Sequence, residues 1–391
     1  VKRSGHCPSY NWVEDIFYQK KMKQLTWKIG FEIELLAPKG LSRQNLALAI
    51  AHQYGGIVRR FFHPQTEPSK VPGTPLFHNL TLGFEVVNEK EQLIARCVDD
   101  ITRQEDLEKS CPPLPGWYRI VSDDLRLLHL IKQQANPDAE LSEVLQPIAE
   151  LFGTEMTAGT GGMCRVTDEI GSPIAIAAPL PGERERPCEL ITPPIATDHF
   201  NQLEKLLKIA RNLGFTIPAE AATHFHFDAT HLCSTPVFSN LVDILWQQAD
   251  RLRAEVGTNP KCRRLGKWPD ELIKLVNTPG FRELPWAEAK IHLKKLNLSK
   301  YCDFNLKNFI DEIPDKNTFE ARIFPGWIDP EPIANAAGLM EDILFQAIAC
   351  SGADAPSLVP GLQQRAVKAI IADSKQITTN QSPRTNILAI I

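Results

Sequence analysis

The chain reads as an α+β protein: a largely antiparallel sheet whose concave face forms a charged wall, with helices packed on the outer face. Three observations predict this. Strand-like and helix-like stretches intermix along the 391 residues without the regular strand–helix–strand series of a parallel sheet. Several strand-like stretches alternate strictly, so that each has one apolar and one polar face. The composition, 43% hydrophobic and 23% charged, is that of an ordinary globular chain long enough for a large core.

Taken in order, residues 1–27 form a polar lead-in. KIGFEIELLAP (28–38) is a strand, with Ile29, Phe31, Ile33 and Leu35 on one face and Gly30, Glu32 and Glu34 on the other. SRQNLALAIAHQYGG (42–56) opens on a capping serine and closes on glycines, which predicts a helix. Residues 57–100 read as short strands and loops, with the Pro-rich HPQTEPSKVPGTPLFHN an exposed loop. WYRIVSDDLRLL (117–128) is a strand entering a turn, and 138–153 a helix kinked or broken at Pro147. Two strand-like runs around DEIGS, within 157–179, predict a hairpin. A strand over 185–196 ends at two prolines, and an amphipathic helix over 199–215 ends at Gly214. The strand THFHFDAT (223–230) and a long helix (235–257) follow, then a mixed, partly basic stretch, a strand over 316–326 and a helix over 331–350. Residues 351–391 turn polar and are expected to form a helix and a tail.

The bulk numbers narrow the function. A net charge of −4 without a long basic block argues against a nucleic-acid partner. No apolar run reaches the roughly 18 residues of a membrane span, and the first residues lack an apolar signal core. Nine cysteines, an odd number without paired CxxC spacing, fit reduced thiols and a cytoplasmic setting better than a disulfide framework or a zinc site.

Four strands load their polar face with chemistry: Glu32 and Glu34; Glu189; His224, His226 and Asp228; Glu320 and Arg322. Each set alone is ordinary, since an HxH strand is more often structural and a Glu–Arg pair is worth under about 1 kcal/mol at a surface. Together on one sheet they would build a wall of carboxylates and imidazoles suited to hard divalent ions such as Mg²⁺ or Mn²⁺. An arginine two residues from a carboxylate adds a planar, permanent charge suited to phosphate.

GFEIE, ELITPP, THFHFD and FEARIFPG, in that order, resemble the amidoligase family, carboxylate–amine ligases of the glutamine synthetase and glutamate–cysteine ligase superfamily. KCRRLGKW (261–268) and LSKYCDFNL (298–306) extend the resemblance, which spans about residues 28–345. It implies a glutamine synthetase-like catalytic domain over 28–350 with an insertion around 57–157, and a site for ATP and Mg²⁺ or Mn²⁺. A substrate carboxylate is phosphorylated by ATP and an amine displaces phosphate, joining small-molecule or peptide substrates. Carried over by motif, Glu32, Glu34, Glu189, His224 and Glu320 resemble metal ligands. His224, Glu320 and Arg322 resemble the catalytic set, Arg322 stabilising the transferring phosphoryl group. His226, Arg263, Arg264 and Lys300 resemble substrate or ATP contacts. Thr223 stands where the family often has glycine. The acid expected on a strand before ELITPP is Asp168, Asp123 or Asp124. A metal-dependent hydrolase, or a non-catalytic relative binding a ligand or partner, are the competing readings; the hydrolase expects further His or Asp ligands late in the chain, where only His292 follows residue 231.

Overall fold

The computed structural model describes residues 24–351 apart from 69–75, 101–104, 123, 263 and 314–315. Nearly all of the expected lead-in and all but the first residue of the expected tail, together with Asp123 and Arg263, therefore lie outside the described residues.

The first strand, β1 (Ile29–Leu36), leads into helix α1 (Arg43–Tyr54). Ser42 caps this helix reciprocally with Asn45, and Gly55 ends it in the left-handed region at φ 63°, which glycine adopts without strain. Next come β2 (Ile57–Pro68), β3 (Leu76–Val87), β4 (Leu93–Val98) and β5 (Tyr118–Ser122), then α2 (Leu125–Gln134) and α3 (Gln146–Leu151). Strands β6 (Thr157–Ala158), β7 (Cys164–Thr167), β8 (Pro173–Pro179) and β9 (Pro187–Ile191) precede α4 (His199–Asn212) and β10 (Ala222–Asp228). The chain continues through α5 (Thr235–Val256), α6 (Asp270–Val276), α7 (Trp286–Lys294), β11 (Phe304–Asn305), α8 (Lys307–Ile310), β12 (Thr318–Pro325) and α9 (Pro330–Ala349).

All these strands join one sheet in the order β11-β12-β10-β1-β9-β4-β3-β5-β8-β7-β6, with β2 paired to β3. Each described pairing is antiparallel. The molecule is thus a mixed α/β protein with a large antiparallel sheet, as the alternating strands predict. The apolar faces of β1, β10 and β12 bury Phe31, Ile33, Phe225, Phe227, Phe319 and Ile323 against helices α4, α5 and α9. Each such side chain contributes about 1.5–3 kcal/mol through removal from water. A second core gathers Phe62, Leu80, Tyr118 and Ile120 with Leu128 and Ile131 of α2 and Ile148 of α3.

Two local expectations differ from the structure. The Pro-rich stretch around 63–79 is not all loop: β2 and β3 are strands of 12 residues each and pair along their whole length. β2 pairs on one side only, and such an edge strand is where a sheet tolerates proline. The helix expected over 138–153 shrinks to Gln146–Leu151, with Pro147 in its first turn, where its missing N–H costs nothing. Among the described residues no helix is long and apolar enough to cross a membrane, and the eight described cysteines are free thiols.

Candidate active site

Strand order places the four loaded faces side by side, as β12-β10-β1-β9. Register then decides which residues meet. Glu32 of β1 lies opposite His224 of β10, His226 lies opposite Glu320 of β12, and Glu34 lies opposite Glu189 of β9. Between Thr223 and Phe225 the β10–β12 register slips by one, so that Arg322 and Ile323 together face His224. A bulge of this kind bends the strand locally and re-aims its side chains.

The resulting contacts are short. His224 Nδ1 lies 3.2 Å from Glu32 Oε2, and its Nε2 3.7 Å from Glu34 Oε1. His226 Nε2 lies 3.1 Å from Glu32 Oε1 and 4.0 Å from Glu320 Oε1. Arg322 Nη1 donates to Glu320 Oε1, while Asn305 Nδ2 of β11 donates to Glu320 Oε2 at 2.7 Å. The Ala222 backbone N–H donates to Glu34 Oε2. The Nε of Arg322 is buried without a hydrogen-bond partner.

Electrostatics follow the contacts. Burial would raise the Glu32 carboxyl, but His226 and His224 outweigh it and hold it well below the usual range. Burial opposes ionisation of Glu320 too, yet Arg322 and His226 bring it down to about 2. In return, Glu32 and Glu320 overcome the burial of His226 and raise its pKa. On the neighbouring hairpin, burial pushes His63 down to about 3 and keeps its imidazole neutral.

Donor atoms of Glu32, His226 and Glu320 all lie within 4.8 Å of one another, and so do those of Glu34, Asp100 and Glu189. Like charges directly opposed in a sheet, as Glu34 and Glu189 are, are unfavourable unless something positive lies near.

Asp100 is the residue that sequence reading missed. It sits two residues past the end of β4, the strand that pairs with β9, which carries Glu189. Only the pairing shows its place: Val98 lies opposite Glu189, and Asp100 is two residues on, on the same face by alternation. The acids considered for this place do other work. Asp124 caps α2 by accepting from Arg126 N, and half-buried Asp168 closes the β7–β8 turn by accepting from Ile170 N and Ser172 N. Asp228 turns away to accept from Thr230 N and Oγ1.

Arg264 and Lys300 meet at Tyr301. Both stand 5.1 Å from the Tyr301 ring, and Arg264 Nη2 and Tyr301 OH point to the Thr66 carbonyl near the end of β2.

The family model described as "Putative amidoligase enzyme" matches residues 25–344. This chain belongs to the amidoligase family. The match takes in every strand of the sheet and all the wall residues named above. No curated protein and no solved structure matches the chain.

Proposed function

We propose that this amidoligase is an ATP- and Mg²⁺-dependent carboxylate–amine ligase, forming an amide or peptide bond through an acyl phosphate on a glutamine synthetase-like catalytic fold. One observation carries the reading: two trios of metal-competent donors on one wall, with the Arg322 guanidinium paired to Glu320 beside them. Five carboxylates and an imidazole are the donor chemistry of Mg²⁺ or Mn²⁺. Glu32, His226 and Glu320 would hold one ion, and Glu34, Asp100 and Glu189 the other. Such ions, when bound, neutralise charge on the phosphate oxygens of ATP.

The side chains supply the rest. His224 touches Glu32, Glu34 and Glu320, and so fixes carboxylates of both trios relative to each other. Arg322 has a spare donor, Nε, and a charge that burial does not remove, because Glu320 raises its pKa. That suits it to the equatorial oxygens of a phosphoryl group in transfer. A substrate carboxylate oxygen attacks the γ-phosphorus and the bond to ADP breaks. An amine nitrogen then attacks the acyl carbon, the bond to phosphate breaks, and the nitrogen loses a proton. On this reading Arg264 and Lys300 contact phosphate or a substrate carboxylate, as does Arg263, which lies outside the described residues. The catalytic domain runs over 28–350, with 57–157 as its insertion, in a cytoplasmic protein.

The test is phosphate release with ATP, Mg²⁺ and a panel of amino acids and short peptides, run beside Glu320→Ala. Release that depends on a panel member and disappears in the variant supports the ligase and names its substrate class. Mg²⁺-ATP that neither turns over nor shifts the Tm counts for the non-catalytic or hydrolytic reading.

A further inference from the structure

Behind the wall, Asp99 is buried completely together with Arg43 and almost completely with Arg184. Arg184 Nη2 reaches Asp99 Oδ1 at 3.0 Å, Asp99 Oδ2 at 3.1 Å and the Asp100 carbonyl at 3.2 Å. Arg43 Nη1 lies 3.8 Å from Asp99 Oδ1 and donates to the Arg184 carbonyl at 2.7 Å, while its Nε donates to the Leu82 carbonyl at 3.0 Å. The Arg43 guanidinium is also 4.4 Å from the centre of the Trp117 ring. From the hairpin, Gln65 Nε2 donates to the Asp99 carbonyl. Residues 99 and 100 have left β4, so no ladder holds them; these side chains do.

We propose that Arg43, Asp99 and Arg184 are positioning residues that aim the Asp100 carboxylate at Glu34 and Glu189. Neighbouring residues of an extended chain point to opposite sides. Pinning Asp99 inward therefore fixes Asp100 outward, and the bond from Arg184 to the Asp100 carbonyl fixes the peptide between them. Taking two guanidiniums and one carboxylate out of water is costly, and apolar residues of the same volume would pack such a place with less penalty. The inference rests on the reading of Glu34, Asp100 and Glu189 as a cation group.

The experiment titrates the metal-free full chain with Mn²⁺ alone, by calorimetry and by electron paramagnetic resonance. Asp100→Asn and Glu320→Ala assign the two binding steps. In Arg184→Gln the step assigned to Asp100 is expected to weaken about 10–100-fold, the usual range for losing a partner behind a metal ligand. The step assigned to Glu320 should stay within about 2-fold, and Arg184→Lys should recover part of the loss, since lysine keeps the charge but not the planar fork. Tm values of all variants control for folding; should Arg184→Gln not fold, Arg184→Lys carries the test with about a 3–10-fold loss. Unchanged Mn²⁺ binding in a folded Arg184 variant, or equal weakening of both steps, overturns the positioning role. If Asp100→Asn itself leaves Mn²⁺ binding unaltered, the cation reading of that trio fails, and the positioning role with it.

Discussion

Glu32, His226 and Glu320 come from three neighbouring strands and meet because those strands are in register. Glu34 and Glu189 also face each other across a strand pair, but their third member, Asp100, lies beyond the end of its strand. The first trio has His224, His226 and Arg322 within 4.0 Å of its carboxylates. The second shares His224, 3.7 Å from Glu34, and has the Ala222 N–H on Glu34 and a buried arginine pair behind Asp100. Where alternation alone places every donor, register is sufficient. Where one donor comes from a loop, distant side chains must hold it.

The largest effect expected is on turnover. Arg322→Ala should lower ATP-dependent phosphate release at least about 10³-fold and also lower Tm, because it leaves the Glu320 carboxylate buried without its arginine, whereas Arg322→Lys keeps the charge yet should not restore turnover, because the fork geometry is lost. Activity retained within about 10-fold would remove Arg322 from the chemistry and leave the first trio merely structural.

Stability should separate the first trio from its neighbours. Glu320→Gln leaves Arg322 and His226 buried beside a neutral amide, and a cost of about 3 kcal/mol is expected in denaturant titration of the metal-free protein. A cost under about 0.5 kcal/mol would mean that the pair is more solvated than its burial implies.

The pH dependence of cation binding sharpens the contrast. His226 must shed its proton to act as a ligand, and Glu32 and Glu320 have raised its pKa above 6.5. Mn²⁺ affinity of the first trio should therefore rise with pH from 6 upward, by at most about 10-fold per pH unit, levelling only above the raised pKa of His226. The second trio has no histidine, so its affinity should rise less over that window; equal slopes would argue that His226 does not ligate.

The smallest effects concern the acids that lie outside both trios. Asp124→Ala should cost about 1 kcal/mol as a lost helix cap, and Asp168→Ala within about 0.5 kcal/mol. Neither should change Mn²⁺ binding; a change would place that acid back in the site.

Much of the wall was legible because strand side chains repeat every two residues. That period alone put Glu32 with Glu34, His224 with His226 and Glu320 with Arg322, and it named their apolar mates Phe31, Phe225 and Ala321 as core. The helices at 43–54, 199–212, 235–256 and 330–349 were legible from their spacing and end signals, Gly257 closing the third at φ 67°. The β2–β3 hairpin was not, since prolines mark loops unless one strand edge is left unpaired, and pairing is a property of the partner. Asp100 was hidden for a related reason: an acid past a strand end looks like any turn residue until the strand beside it is known.

By itself, the sequence determined which side chains share a face, which faces are apolar, and hence that four strands present acids and bases to one side. It could not order those strands, because order depends on contacts between segments far apart in the chain. Only the tertiary structure decided that β9, β1, β10 and β12 are neighbours, that Glu34 meets Glu189 and His226 meets Glu320, and that Arg184 holds residues 99 and 100 in place. Local periodicity is set by backbone geometry within one strand, whereas adjacency is set by the burial of all the apolar faces at once.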